Sequence, residues 1–492
     1  MINYLDLTIE DIHNALLEKK VTVLELVEEA IKRSGNSLDN PIERICADKA
    51  IKKAKELDKK EIQKDDYLFG IPFFAKDNFS TKDIESTASS NILTGYTPLF
   101  DATVIKLLDQ SNAVLMGKTT LDELAMGGTG TTGHKGTTYN PYDPTHKHLI
   151  GGSSCGSANV VSSGIVPFAL GSDTGDSIRK PANNCGLVGF KPTRGLISRF
   201  GLFPFAPSLD HVGYFTRSVF DSAILLDCLS KHDEKDSTSS FKERPSTYLN
   251  YSKDIKDKKI AIIKEILDSI TDEVILNKFN DLIKKLKSKG AIIEYVSMDE
   301  KLLKAIYPSY IVISCAEATS NNANLDGIKF GPYYDGRTYQ EVMMNARTKG
   351  FSPLIKRRFV IGSYALMSEN QEEVFLRAQR VRHLIVDKVN EIFKKYDAIL
   401  LPSSPSTAPL EFGSSNKLSS TYLIADNYLA IANFGGYPSM TLPMGFEDNL
   451  PYGVNITARP FNEETVFSIG QNIEDLTGLK NISSLNYKKR GF

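Results

Sequence analysis

Gly151-Gly152-Ser153-Ser154-Cys155-Gly156-Ser157-Ala158, followed by Gly171-Ser172-Asp173-Thr174-Gly175-Asp176-Ser177-Ile178-Arg179, is the stretch that decides how this chain of 492 residues is read. Two serine clusters stand in glycine frames, and thirteen of the 34 glycines fall between Gly127 and Gly189. Glycine at that density marks backbone that turns tightly or approaches something closely. Between the clusters, Ile165-Val166-Pro167-Phe168-Ala169-Leu170 reads as a strand flanked by glycine loops. Upstream, Gly70-Ile71-Pro72-Phe73-Phe74-Ala75-Lys76 reads as a buried strand ending on a charge. A helix at Val104–Leu108 precedes a second apolar run, Ala113–Met116. Further out, Thr8 and Thr22 open T-x-x-D and T-x-x-E capping signatures, the second ahead of a stripe of Leu24, Val27 and Ile31. A Lys-rich helix follows around Ala50–Leu57.

Downstream, residues 229–258 are polar and aperiodic and read as a surface excursion. Then come a strand at Ile260–Ile263 and a helix capped by Ser269, with Val274, Ile275, Phe279, Leu282, Ile283 and Leu286 as its apolar face. Gly290 ends that helix, and Ala291–Val296 follows as a strand, which is β-α-β grammar. A long helix is predicted over Glu372–Lys395 and a strand over Ala398–Leu401. The fold class is therefore α/β, with a mostly buried mixed sheet.

Composition narrows the function. Lys plus Arg (59) balances Asp plus Glu (60), for a formal net charge of −1, so no global pull towards nucleic acid or membrane is expected. No apolar run reaches transmembrane length, and Asp6, Glu10 and Asp11 interrupt any secretory h-region. Cys46, Cys155, Cys185, Cys228 and Cys315 are scattered and contain no C-x-x-C, against a disulfide framework or a thiolate zinc site. The expectation is a reducing compartment, the cytoplasm.

Four short patterns compete for the chemistry. Gly152-Ser153-Ser154-Cys155-Gly156 fits the G-x-S-x-G elbow with Ser154 as nucleophile, but that motif needs a strand just before it. Asn140-Pro141-Tyr142-Asp143-Pro144 stands there instead, which is turn chemistry. Ser177-Ile178-Arg179-Lys180 fits S-x-x-K, without the S-D-N and K-T-G that accompany it elsewhere. Gly117-Lys118-Thr119 lacks the earlier glycine of a phosphate loop, Asn112 standing in its place, so Lys118 reads as an ordinary strand-end charge. His146 and His148 read as a surface pair rather than metal ligands.

The longer pattern is more specific. With Lys76 upstream, the two serine clusters resemble the amidase signature family, whose members use a Ser–Ser–Lys triad. Phe190-Lys191-Pro192-Thr193, Ser208-Leu209-Asp210-His211-Val212-Gly213 and Gly435-Gly436-Tyr437-Pro438 extend the resemblance nearly end to end. Within the family they point to the branch of glutamyl-tRNA(Gln) amidotransferase A subunits. The resemblance implies a single amidase signature domain over 1–492, with a central mixed sheet covered by helices on both faces and N-terminal helices (1–65) packed on it.

It also assigns roles. Ser177 is the expected nucleophile, Ser153 the bridging serine on a cis peptide, and Lys76 the base. The backbone N–H groups of Thr174, Gly175, Asp176 and Ser177 are expected to form the oxyanion hole. An ordinary lysine costs roughly 4.6 kcal/mol to hold neutral at pH 7. The apolar run before Lys76 suits it to burial, which depresses a lysine's pKa. For glutamine, Arg358 matches a residue on the α-carboxylate, Asp426 one on the α-amino group, and Tyr310 and Gly128 pocket positions. Arg357 or Arg358 as helix-surface charges, and Asp426 as a helix cap, are the plainer alternatives. Two positions depart from the family: Cys155 stands where many relatives carry Gly or Ser, and Asp176 where most carry Gly. The implied activity is glutamine hydrolysis, with ammonia passed to B and C partner subunits of a heterotrimer that amidates Glu-tRNA(Gln). The subunit itself needs no cofactor or metal, while the partners use ATP and Mg. A free-standing amidase of small amides and a silent scaffold, spoiled at Asp176, are the alternatives.

Overall fold

Short runs rich in apolar residues, too brief for helices, pair into one mixed sheet. The computed structural model describes residues 3–413 and 416–491. Its strands are β1 (Ile42–Ile45), β2 (Pro72–Lys76), β3 (Val114–Thr119), β4 (Phe168–Asp173), β5 (Val188–Lys191), β6 (His211–Thr216), β7 (Lys259–Ile263), β8 (Ile292–Val296), β9 (Ala398–Pro402), β10 (Ser439–Glu447) and β11 (Leu450–Ala458). They lie in the order β1-β3-β2-β4-β6-β5-β10-β11-β9-β7-β8. Two parallel blocks, β3-β2-β4 and β9-β7-β8, flank an antiparallel centre. Every position of β2, β4, β5 and β6 is buried, so both faces of this region are covered. Among the described residues, no helix is long and apolar enough to cross a membrane.

The N-terminal capping signatures form as expected. The Thr8 side chain accepts from Asp11 N–H, and Thr22 and Glu25 complete a capping box. The β7–helix–β8 unit is present with its two strands parallel. Its helix, Glu273–Ser288, is capped by Asp272 rather than Ser269, because the Asp272 carboxylate accepts from the N–H groups of Val274 and Ile275. Ser269 instead donates to the Ile266 carbonyl, closing the preceding short helix. Val274 sits on the exposed side of that helix while Ile275, Phe279, Leu282, Ile283 and Leu286 are buried, so the apolar face starts one residue later than expected. The long helix is in two parts, a π-helical turn at Gln371–Leu376 and an α-helix at Arg377–Phe393.

Residues 229–258 are irregular, yet they are no loose excursion. Tyr248, Tyr251 and Ile255 are buried, and Tyr251 Oη donates to Gln471 Oε1 at 2.8 Å. Asp233 accepts from Thr103 and Ser198 hydroxyls, binding the segment to the start of the helix Thr103–Gln110 and to a distant loop. A polar composition hid these anchors, because each is a single residue in an aperiodic stretch.

One buried ion pair connects the halves of the chain. Asp173 ends β4 and Arg179 opens the short helix that follows, and both side chains are fully buried. Arg179 Nε and Nη2 bind the two oxygens of Asp173 at 3.1 and 2.9 Å. The same guanidinium donates to the Gly175 carbonyl, the Leu429 carbonyl and Asn433 Oδ1, each at 2.7 Å. Removing one partner of such a pair strands the other as a buried charge, at a cost of ~3–5 kcal/mol. Arg179→Ala is therefore expected to lower stability by that amount, read from the midpoint of denaturant unfolding. A loss of only a few tenths would remove this pair from its central structural place.

Candidate active site

Strand direction puts the chemistry at one end of the sheet. Parallel β2 and β4 finish side by side, so Lys76 and the Ser172-Asp173 pair arrive at the same edge. Lys76 is fully buried, and its Nζ lies 2.7 Å from Ser153 Oγ and 2.9 Å from the Oγ atoms of Ser154 and Ser172. Burial drives its pKa down to about 7, against the weaker upward pull of Cys155, Asp122, Asp173 and Asp210. Among the described residues, no carboxylate is hydrogen-bonded to it. Three hydroxyls cannot hold a charged ammonium as a carboxylate would, so the neutral amine is far more populated near pH 7 than in an exposed lysine.

Proton placement sets one of the three serines apart. Ser154 Oγ donates to the Ser172 carbonyl at 3.0 Å, so its own proton is used and it accepts from Lys76. Ser172 Oγ accepts from Asn78 Nδ2 at 3.0 Å and also bonds Lys76. A neutral amine has two protons to donate and one lone pair to fill. Ser154 is thereby excluded as donor into that lone pair, which leaves the hydroxyls of Ser153 and Ser172 to fill it. The Gly152–Ser153 peptide bond is cis. A side chain on Gly152 would meet the Asp122 carboxylate at 1.9 Å, which explains the glycine.

Ser177 is buried on the loop between β4 and Arg179, and among the described residues its Oγ makes no hydrogen bond. Its carbonyl accepts from Ser154 N–H at 3.2 Å, which joins the two serine loops directly. The N–H groups of Thr174, Gly175, Asp176 and Ser177 also donate to nothing within the described residues. The Thr174 hydroxyl is tied to Asp210 at 2.6 Å, and Asp210 accepts from the N–H groups of Phe205 and Ala206. The turn thus has the Thr174 side chain fixed and, among the described residues, four successive amides unspent. Asp176 is absent from the residues with positive φ, so this position does not require glycine's backbone freedom.

The competing patterns resolve by contact. No strand leads into Ser154, which begins the helix Cys155–Ser162, so the elbow geometry is missing. Lys180 Nζ turns to Asp426 and to Ser404 Oγ at 3.2 Å, not to Ser177. Lys118 corrects its sequence reading, for it is fully buried and donates to the Phe79 carbonyl and Ser86 Oγ at 2.7 and 2.9 Å, with Asp77 at 3.3 Å. His148 Nδ1 bonds Asp143 at 2.7 Å, and His146 stacks on Tyr139, so the two rings engage different neighbours. Cys155 packs fully buried, with its thiol pushed up to about 12 by that burial, and is uncharged.

The remaining predicted residues lie around this edge. Tyr310, on the helix Ile306–Asn321, packs so tightly on Gly175 that a Cβ there would be 2.9 Å from its ring. Arg358, on the helix Pro353–Leu366, holds its guanidinium carbon 5.7 Å from the Phe205 ring centre. Its Nε and Nη1 are buried without a hydrogen-bond partner, whereas Arg357 is exposed. Asp426 is not a helix cap by side chain, since its carboxylate pairs with Lys180. Gly128 is exposed with open space beyond it, on a loop tied down at Thr129–Thr132 by the Asp122 carboxylate. Asp122 N–H in turn donates to the Ser153 carbonyl. Asp122, Ser172, Asn78 and Arg179 were missed as supporting groups. For Asp122 the signal was the glycines it faces, Gly127 and Gly152.

Comparison with known proteins agrees with this geometry. A family model described as Amidase matches residues 25–467. The chain is 39% identical to the A subunit of glutamyl-tRNA(Gln) amidotransferase from Pediococcus pentosaceus, over 97% of this chain and 98% of that one. The crystal structure of the same-named subunit from Thermotoga maritima superposes with a TM-score of 0.78 at 35% identity, covering 96% of both chains. The peptide amidase of Stenotrophomonas maltophilia shares the fold, with a TM-score of 0.79 at 24% identity, covering 96% of this chain and 97% of that one. A lysine buried among serines at the end of a mixed sheet, and a match along almost the whole chain, together establish that this protein belongs to the amidase signature family.

Proposed function

We propose that this chain is the glutaminase subunit of a tRNA-dependent amidotransferase, the A subunit beside B and C partners, working in the cytoplasm. What carries the proposal is its likeness over nearly its full length to subunits of that name. It hydrolyses glutamine to glutamate and passes the ammonia to the partner that amidates Glu-tRNA(Gln) with ATP and Mg. No cofactor is required in this subunit.

The chain's own groups suffice for the hydrolysis. Neutral Lys76 takes the Ser153 proton as Ser153 takes that of Ser177, whose Oγ attacks the side-chain amide carbon. The unspent N–H groups at 174–177 receive the developing oxyanion, a contribution of ~3–4 kcal/mol per donor. The C–N bond breaks as the proton returns through Ser153 to the nitrogen, releasing ammonia and leaving an acyl group on Ser177. Water, deprotonated by the same relay, then frees glutamate. With Lys76 at about 7, the cost of holding an ordinary lysine neutral is largely removed before substrate arrives. The unpaired guanidinium nitrogens of Arg358 favour its role as partner of the α-carboxylate. The silent-scaffold alternative loses its ground, since Asp176 leaves the backbone turn and its free amides in place.

Because the base must be neutral, activity falls below the Lys76 pKa of about 7 and rises to a plateau above it. The pH profile of kcat/KM on glutamine should show that limb, about tenfold per unit at low pH. Lys76→Ala should abolish turnover at every pH, and a surviving limb in that variant would exclude Lys76 as its source. Arg358→Ala should raise KM for glutamine by ~2–5 kcal/mol of lost binding, and far less for a simple aliphatic amide. Equal losses on both substrates would place Arg358 outside the pocket. In the assembled complex, with ATP, Mg and Glu-tRNA(Gln), Ser177→Ala should fail with glutamine yet form product with ammonium chloride. Failure with both nitrogen donors would assign Ser177 to assembly or to the amidation step instead.

A further inference from the structure

Two carboxylates and one ammonium are gathered beside the nucleophile. Asp176 precedes Ser177, and Lys180 stands one helical turn later, its N–H donating to the Asp176 carbonyl at 2.8 Å. The Lys180 side chain reaches across to Asp426, 246 positions along the chain, and to Ser404. The Asp176 carboxyl feels the charges of Lys180, Asp173, Arg179 and Asp426. Asp173 and Arg179 neutralise one another. Asp176 and Lys180 are four positions apart at the start of a helix, a spacing that puts their side chains on one face, and the neighbouring Gly175 lies against the Tyr310 ring. A lone Lys180–Asp426 pair is neutral, and an incoming ammonium would have to compete with a lysine for one carboxylate. With Asp176 ionised, the cluster holds one negative charge in excess, the complement of a single α-ammonium.

We propose that Asp176 is a specificity-determining residue, the second anion that holds Lys180 when the substrate's α-ammonium takes Asp426. The proposal rests on glutamine being the substrate and adds to it a counter-charge that the single carboxylate Asp426 does not supply. On binding, Lys180 leans from Asp426 towards Asp176, and no proton needs to move. Burial raises the Asp176 carboxyl and Lys180 offsets part of that rise, so the group sits at about 7 and is mostly ionised at pH 8.

Ammonia release by the full chain, in the complex in which it purifies, tests this with glutamine and with its des-amino analogue, glutaramate, at pH 8. Release from glutamine by the unchanged protein secures the underlying activity, and its absence would refute the glutaminase assignment rather than the role of Asp176. Asp176→Asn should raise KM for glutamine at least tenfold, with the loss on KM rather than kcat, and leave KM for glutaramate unraised. Lys180→Gln should not raise KM for glutamine. Combining the two restores one excess negative charge and should return KM to within about threefold of the starting value. An unchanged KM in Asp176→Asn, an equal loss on glutaramate, or a double variant as poor as Asp176→Asn would each overturn the proposal. A Lys180→Gln variant as impaired as Asp176→Asn would do the same, independently of how Asp176→Asn folds.

Discussion

The Asp173–Arg179 pair is the contact on which the catalytic loop depends. Both charges are withdrawn from water, which is costly unless every lone pair and proton finds a partner. Here they do. Each Asp173 oxygen accepts twice, from Arg179 and from Asn433 Nδ2 or Ile178 N–H, and Arg179 spends its remaining donors on Gly175, Leu429 and Asn433. Burial pushes the Asp173 carboxyl up, but the Arg179 guanidinium outweighs it and holds the group below the usual carboxylate range. The pair pins both ends of the loop 174–178 and ties it to the C-terminal segment. The loop amides stay free because side chains, not those amides, hold the turn.

Three lysines are fully buried in this part of the molecule, and their neighbours give them different work. Lys118 has the Asp77 carboxylate at 3.3 Å and is held by the loop carbonyl of Phe79. Lys191, from the Phe190-Lys191-Pro192-Thr193 stretch, donates to the carbonyls of Pro192 and Tyr437 and so ties that stretch to Gly435-Gly436-Tyr437-Pro438. Lys76 alone of the three is bonded to hydroxyls only. Burial lowers the pKa of all three, yet only Lys76 lies among three serine hydroxyls with no carboxylate bonded to it. Burial makes a base available, and the hydroxyl partners make it useful.

Much of the scaffold was legible from local chemistry. Capping boxes, apolar stripes and the β-α-β segment act over a few residues, and their outlines held. Errors came where two local signals competed: Ser269 and Asp272 both lie ahead of the same helix, and the carboxylate captured the amides. The antiparallel centre leaves no such local signal. In the β10–β11 hairpin every inner position is buried on both faces, so no alternation marks it as sheet.

By itself the sequence determined the family and the α/β class and singled out Ser153, Ser177 and Lys76 as candidates, because glycine-framed turns and an apolar strand ending in lysine are encoded within a few residues. Tertiary structure decided which serines meet the lysine, since Lys76 reaches Ser153, Ser154 and Ser172 across 77, 78 and 96 positions. It also decided that Lys118 is buried, that the irregular segment 229–258 is anchored, and that Asp426 is paired with Lys180. The physical reason is the same throughout. Pattern and turn chemistry are local, whereas desolvation and charge pairing depend on what the rest of the chain packs against a residue.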